Sequence, residues 1–156
     1  MQLVVATQYY KIFYDSEYMI GEIQWTCGTY TLDFNKLKSL IIEAYSYFFK
    51  MKIIGLVHNL TESVFPLTKD FKEWILSEYK RAISDKLKPK RVAMILPEEA
   101  LTRYYVKIFF ETTAGHWDYS IRRTFTKRQD ALNWVYNEVS QLLRRKTSST
   151  DQASAS

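Results

Sequence analysis

Two unbroken apolar runs on either side of a stretch with helical spacing constrain the fold of this chain more than any other feature. The runs are IIGLV at 53–57 and VAMIL at 92–96, and apolar residues recur at three and four positions between them. Strands that are apolar without alternation are typical of parallel sheets buried on both faces. The pattern therefore predicts an α/β protein in which a helix joins two parallel strands.

The rest of the chain supplies three more strands and three more helices. The predicted strands lie at 8–14, 18–26, 53–57, 91–96 and 119–125, and the first two form an antiparallel hairpin around Asp15-Ser16-Glu17. The predicted helices open at Asp33, Thr68, Pro97 and a Thr126-x-x-Gln129 capping box. We expect a mixed, mostly parallel five-stranded sheet with four helices. One face of the second strand is expected to pack in the core and the other to be partly exposed to solvent, with Ile23 and Trp25 on one face and Ile20 and Glu22 on the other.

Length and composition favour one globular domain. The chain has 156 residues, of which 47% are hydrophobic, so one core is expected over residues 1–146. The Ser/Thr/Ala-rich segment 147–156 has too little apolar surface to order itself and is predicted to be a disordered tail. No apolar run reaches the length of a membrane span, and no signal peptide is evident, which predicts a cytoplasmic protein.

The chain offers little material for catalysis or for cofactor binding. Cys27 is the single cysteine and is predicted to be a buried thiol. The four glycines do not cluster into a phosphate-binding loop, and His58 and His116 are the only histidines. We therefore predict no enzyme activity, no metal site and no cofactor, with His58 as a hydrogen-bonded structural residue. Convergence of His58 with Glu62 or Glu22 in a cleft would instead favour an enzyme.

Charge is distributed unevenly along the chain. Residues 1–78 hold seven Lys and Arg against nine Asp and Glu, whereas residues 79–156 hold fifteen against eight. A basic half can attract nucleic acid, but many of these cations surround the end of the second helix, where they complement the helix dipole. Nucleic-acid binding is therefore the less favoured interpretation.

Four local patterns, in this order and spacing, resemble the STAS superfamily and its SpoIIAA-like bacterial branch. They are Glu22-Ile23-Gln24-Trp25, the helix residues from Trp74-Ile75 through Tyr79, the strand and turn from Arg91 to Glu98, and Ala131-Leu132-Asn133-Trp134-Val135. The resemblance covers roughly residues 8–145. It implies a SpoIIAA-like fold and a role as a non-catalytic regulatory module that binds a protein partner.

The resemblance also implies a site in the loop before the second helix. Antagonist-type STAS proteins are phosphorylated there on a serine or threonine after an acidic residue, and Glu62-Ser63 occupies the matching position. The candidate phosphorylation sites are Ser63 and Thr61, since a phosphate would add negative charge near a helix N-terminus. The candidate interaction surface consists of His58, Glu62, Phe65 and Thr68.

Two further hypotheses follow from the aromatic content. The third helix is apolar around more than one face, which favours a homodimer interface formed by Leu101, Tyr104, Tyr105, Ile108 and Phe109. The alternative function is binding of a small apolar or lipid-like ligand, because the chain has many aromatic residues and this superfamily is sometimes grouped with lipid-transfer domains. A closed apolar cavity with a few polar groups would favour that alternative.

Overall fold

The chain forms a six-stranded mixed sheet in the computed structural model. The structure describes residues 1–63, 65 and 67–154, with side chains through residue 145. The strands lie in chain order across the sheet: β1 Gln2–Ala6, β2 Tyr10–Asp15, β3 Ile20–Trp25, β4 Gly55–Asn59, β5 Arg91–Ile95 and β6 Ile121–Phe125. Strands β1, β2 and β3 pair antiparallel, and β3 through β6 pair parallel.

Four helical segments connect and cover the strands. They are α1 Phe34–Ser46; a continuous segment of α2 Lys69–Trp74, a π-helix Ile75–Ser84 and α3 Asp85–Leu87; α4 Ala100–Thr112; and α5 Arg128–Ser154. Short 3₁₀ turns occupy Cys27–Thr31, Tyr47–Lys50 and Ala114–Trp117. The α/β class, the N-terminal antiparallel pair, the parallel strands and the four helices predicted from sequence are confirmed.

Each face of the sheet carries its own apolar core. Crossovers between neighbouring parallel strands have one hand, so α1, the π-helix and α4 all lie on the same face, called here the front face. Its core includes Ile23, Trp25 and Leu56 from the strands. Helix α5 covers the opposite, back face, where Ile20 and Val57 pack against its apolar stripe.

The prediction of five strands is wrong by one strand. Residues Gln2–Ala6 form β1, which pairs with β2 from Gln2 opposite Tyr14 to Ala6 opposite Lys11. Most of β1 is exposed, and a register shift interrupts it between Leu3 and Val5. An exposed edge strand lacks both alternation and burial, so its hydrogen bonds to β2 define it and its side-chain pattern does not.

The predicted starts of two helices are confirmed, and the other two helices begin later than predicted. The Asp33 and Thr68 side chains accept hydrogen bonds from the N–H groups of Lys36 and Phe71, as expected of N-caps. Helix α4 begins later than Pro97, because the Glu99 carboxylate caps it by accepting from Leu101 and Thr102.

Helix α5 also departs from its predicted start and end. It begins at Arg128, and the Gln129 amide donates to Asn133 on the next turn rather than completing a box with Thr126. Its backbone continues to Ser154 and so enters the segment 147–156 for which the sequence predicts disorder. The side chains of that segment lie outside the described residues, and disorder of the tail stays a prediction.

One prediction about burial is wrong. Cys27 is exposed, because it opens the 3₁₀ turn beyond the end of β3 and does not face either core. On β3 the front-face residues Ile23 and Trp25 are buried, and the opposite face is partly exposed only at Gln24, since α5 covers this face and both Ile20 and Glu22 are fully buried.

Candidate functional site

A cavity of about 120 Å³ lies on the front face of the sheet. Its floor is formed by Leu56, His58, Val92, Met94 and Arg122 of the strands. Its walls are mostly apolar side chains from the helical layer, including Tyr45 of α1, Ile75, Tyr79 and Ile83 of the π-helix, and Val106, Phe109 and Phe110 of α4. An apolar cavity with a few polar groups on its floor has the general character of a small-molecule site.

The cavity exists because α4 covers the sheet incompletely. Of the thirteen residues of α4, only Val106 and Phe110 are buried, and both line the cavity. The π-helix forms the facing wall, with Ile75, Tyr79 and Ile83 directed to the same side. Its hydrogen bonds span five residues, as between the Asp85 N–H and the Lys80 carbonyl, and such wide turns are frequent at functional sites.

A histidine–tyrosine pair supplies one polar group of the floor. The Tyr45 hydroxyl lies 2.5 Å from His58 Nδ1. Burial, and secondarily the charge of Arg122, lowers the pKa of His58 to about 3, and burial raises the pKa of Tyr45 well above its ordinary value. At neutral pH the imidazole is therefore uncharged, and its Nδ1 shares a hydrogen bond with the Tyr45 hydroxyl. An imidazole with so low a pKa is a poor general base.

Arg122 supplies the positive charge of the site. Its guanidinium carbon lies 3.7 Å from the ring centre of Phe110 and 4.4 Å from that of Trp117. Burial lowers the pKa of this guanidinium to about 10, although the tyrosines Tyr79 and Tyr119 act in the opposite direction. Among the residues that the structure describes, no carboxylate forms an ion pair with Arg122.

The hydroxyls of both predicted phosphorylation sites donate hydrogen bonds within the loop. Ser63 is only 1% exposed, and its hydroxyl donates to the Leu60 carbonyl at 3.1 Å. The Thr61 hydroxyl donates to Asn59 Oδ1 at 2.7 Å. A kinase would have to open this loop to reach Ser63, and phosphorylation of either residue stays a prediction.

The four residues of the predicted interaction surface are divided between the interior and the surface. His58 and Phe65 line the cavity, where Phe65 stacks on Phe71 with ring centres 6.0 Å apart. Glu62 and Thr68 are exposed on the loop. His58 and Phe65 are half-buried, and contact of these four residues with a protein partner stays a prediction.

Glu22 belongs to a polar network on the back face that sequence patterns did not reveal. Its carboxylate accepts from Arg128 Nε at 2.8 Å, from Arg128 Nη2 at 2.6 Å and from Asn59 Nδ2 at 3.0 Å. Because 106 residues separate the two charges, no local motif signals the pair. His58 lies on the front face and Glu62 on the exposed loop, so the three residues proposed for a catalytic cluster do not converge.

Arg122 is the functional candidate that sequence reasoning missed. The one signal in the sequence is the position of Arg122 inside a predicted strand, where a cation must be buried or covered. In the structure it pairs there with Val92 of β5. Its aromatic neighbours Phe110 and Trp117 come from separate elements, so their approach depends on tertiary packing.

The predicted dimer surface on α4 is mostly accessible. Leu101, Tyr104, Tyr105 and Ile108 are exposed large apolar residues, whereas Phe109 is half-buried and lines the cavity. The two faces of α4 thus have different surroundings, one against the cavity and one toward solvent.

The described part of the chain contains neither a membrane-spanning helix nor a cluster of metal-binding side chains. No described helix combines the length and apolar character needed to cross a membrane. Nor do three or more His, Cys, Asp or Glu side chains come together within the described ranges as a potential metal site.

Comparison of the chain with protein-family models, with curated proteins and with solved structures finds no match. The resemblance to the STAS superfamily therefore stays a prediction, and the cavity on the front face is the feature on which a functional proposal can be built.

Proposed function

We propose that this protein is a non-catalytic binding protein for a small apolar molecule held in the front-face cavity. The observation that supports this function is an apolar space of about 120 Å³ with His58, Tyr45 and Arg122 as its main polar groups. Protein interiors are close-packed, and a cavity of this size costs stability unless something occupies it.

The volume restricts the size of the ligand. Apolar cavities of about 150 Å³ admit benzene. The space here is slightly smaller, so the apolar part of the ligand is expected to be one six-membered ring or a short branched chain. Burying a ring of about 150–250 Å² corresponds to roughly 4–6 kcal/mol, which places Kd between about 1 mM and 50 µM.

The polar groups favour binding over catalysis. Nδ1 of the neutral His58 is already engaged in a hydrogen bond with the Tyr45 hydroxyl, so this nitrogen is not free to act as a base. Burial raises the pKa of Tyr79 to about 12, which keeps its hydroxyl protonated. Both side chains therefore serve as hydrogen-bonding groups that orient a ligand.

Titration with toluene tests the proposed function. We expect saturable chemical-shift changes in nitrogen-edited NMR spectra, confined to cavity residues, and a rise in Tm with ligand concentration. The variant Val106→Phe, which fills the space from α4, is expected to weaken toluene binding at least tenfold and to raise the free energy of unfolding by about 0.5–2 kcal/mol.

The matched control is Val4→Phe, the same substitution at an exposed position of β1. It is expected to leave both toluene affinity and stability close to those of the unaltered chain. An unaltered protein that shows no saturable response to toluene or benzene would contradict the proposed function.

A second candidate function, self-association through α4, rests on the exposed side chains of Leu101, Tyr104, Tyr105 and Ile108. Contiguous exposed aromatic residues are typical of interface cores. We expect sedimentation equilibrium to detect a monomer–dimer equilibrium with Kd of about 1–100 µM. Tyr105→Glu should abolish it, and Tyr30→Glu, which alters an exposed tyrosine outside α4, should not. A monomer at several hundred micromolar would exclude this surface as a dimer interface.

A further inference from the structure

We infer that the ligand of the front-face cavity is an organic acid, whose carboxylate pairs with Arg122 while its apolar part fills the space beneath α4. This inference rests on the proposed function, which requires only an apolar ligand, and adds the chemical class of that ligand.

Arg122 lacks a counter-charge. It is half-buried on the cavity floor, and no described carboxylate lies within ion-pair distance of it. Two other arginines beside the sheet have carboxylate partners, since Arg91 pairs with Glu138 at 2.7 Å and Arg128 with Glu22 at 2.6 Å. Removing a cation from water without a partner is costly. An anionic ligand would supply the partner.

The contacts of the guanidinium leave hydrogen-bond donors for a ligand. Its central carbon lies over the rings of Phe110 and Trp117, which provide no oxygen acceptor. An arginine carries five N–H donors in the plane of the group. One described acceptor, the Phe110 carbonyl, lies at a long 3.5 Å from Nη1. Donors therefore remain for a planar carboxylate, which arginine binds in a bidentate manner.

The polar groups that line the cavity beside Arg122 carry no negative charge. Tyr79 and Tyr119 are protonated at neutral pH, since burial raises the pKa of each hydroxyl, and the His58 ring is neutral. The Tyr119 hydroxyl donates to Asp85 Oδ1 at 3.4 Å, but Asp85 pairs with Lys80 at 2.6 Å and does not line the cavity. Among the described lining residues, therefore, no anion competes with a ligand for Arg122. With space for about one ring, the acid is expected to be a single-ring aromatic or short branched monocarboxylic acid.

The test compares phenylacetate with phenylacetamide, which has nearly the same shape and no charge. Hydrogen bonds to charged groups are stronger than those to neutral ones, so the unaltered protein is expected to bind the acid about 10- to 100-fold more tightly than the amide, measured by NMR titration at pH 7. In Arg122→Met the acid should lose this advantage, while the affinity for the amide changes less than threefold. Arg122→Lys should restore only part of the preference, because a lysine lacks the planar fork.

Toluene binding distinguishes a failure of the inference about Arg122 from a failure of the proposed function. If toluene binds and the unaltered protein prefers the amide to the acid or binds them equally, the inference about Arg122 is overturned and the proposed function stands. If toluene and both other compounds fail to bind, the proposed function fails as well. If circular dichroism shows that Arg122→Met does not fold, the ratio of the affinities for phenylacetate and phenylacetamide is compared between the unaltered protein and Arg122→Lys. An equal ratio in the two proteins would overturn the inference about Arg122.

Discussion

Lowering the pH from 7 to 4 is expected to reduce the free energy of unfolding by about 2–3 kcal/mol more in the unaltered protein than in the variant His58→Gln. Burial lowers the pKa of His58 from its ordinary value of 6.5 to about 3 in the folded chain. Below pH 6.5 the His58 imidazole of the unfolded chain becomes protonated, whereas that of the folded chain stays neutral down to about pH 3. The contribution of His58 to the free energy of unfolding is therefore fully retained above pH 6.5 and is lost progressively as the pH falls toward 3.

Urea unfolding at several pH values measures this difference. A glutamine at position 58 does not titrate, yet its amide can still form a hydrogen bond with Tyr45, as donor or as acceptor. Asp15 and Glu99, whose pKa values are lowered by hydrogen bonds, add acid sensitivity equally to both proteins and cancel in the comparison. The control is His116→Gln, which alters an exposed histidine. Identical pH profiles for the unaltered chain and His58→Gln would contradict the assignment of a buried neutral imidazole.

Replacing Arg128 with methionine is expected to lower the free energy of unfolding by about 2–4 kcal/mol. The Glu22 carboxylate is fully buried, and Arg128 provides its only ionic partner among the described residues. Asn59 would remain as a hydrogen-bond donor, but a buried charge with one neutral partner is poorly compensated. Because the Arg128 side chain is itself 44% exposed, water relieves part of the cost and keeps the expected loss below that of a fully enclosed pair.

The double variant Glu22→Gln with Arg128→Met isolates the cause. A neutral glutamine can still accept from Asn59, so the double variant is expected to recover at least half of the loss seen in Arg128→Met. The control Arg123→Met removes an exposed arginine from the neighbouring strand and should change stability by less than about 0.5 kcal/mol. A loss in Arg128→Met no greater than that in Arg123→Met, measured by urea unfolding, would show that the buried pair is not a major source of stability.

Elements with strong periodic patterns were predictable from the chain alone. The strand around Val92, the helices capped by Asp33 and Thr68, and the N-terminal hairpin depend on neighbours a few residues apart, so local sequence encodes them. Strand β1 depends on pairing with β2, and its own residues carry no burial pattern. The apolar excess of α4 was also correctly recognised, although sequence could not distinguish the residues that face the cavity from those that face solvent.

The candidate site shows the limits of local patterns more clearly. Sequence directed attention to the loop around Ser63, which the structure places in a buried turn. Arg122 attracted no attention because its meaning comes from Phe110 and Trp117, which precede it on α4 and on a 3₁₀ turn. A cation in a strand has the same appearance in sequence whether it is solvated, paired or left without a counter-charge.

Composition and short-range periodicity are enough to predict the α/β class, the four helices, most of the strands and the small number of residues suited to metal or phosphate chemistry. Three features arise only when the chain is folded: α5 buries Glu22 against Arg128, burial keeps His58 neutral beside Tyr45, and α4 leaves a cavity over Arg122. These features depend on the separation between packed layers and on contacts between distant segments, which no local pattern encodes.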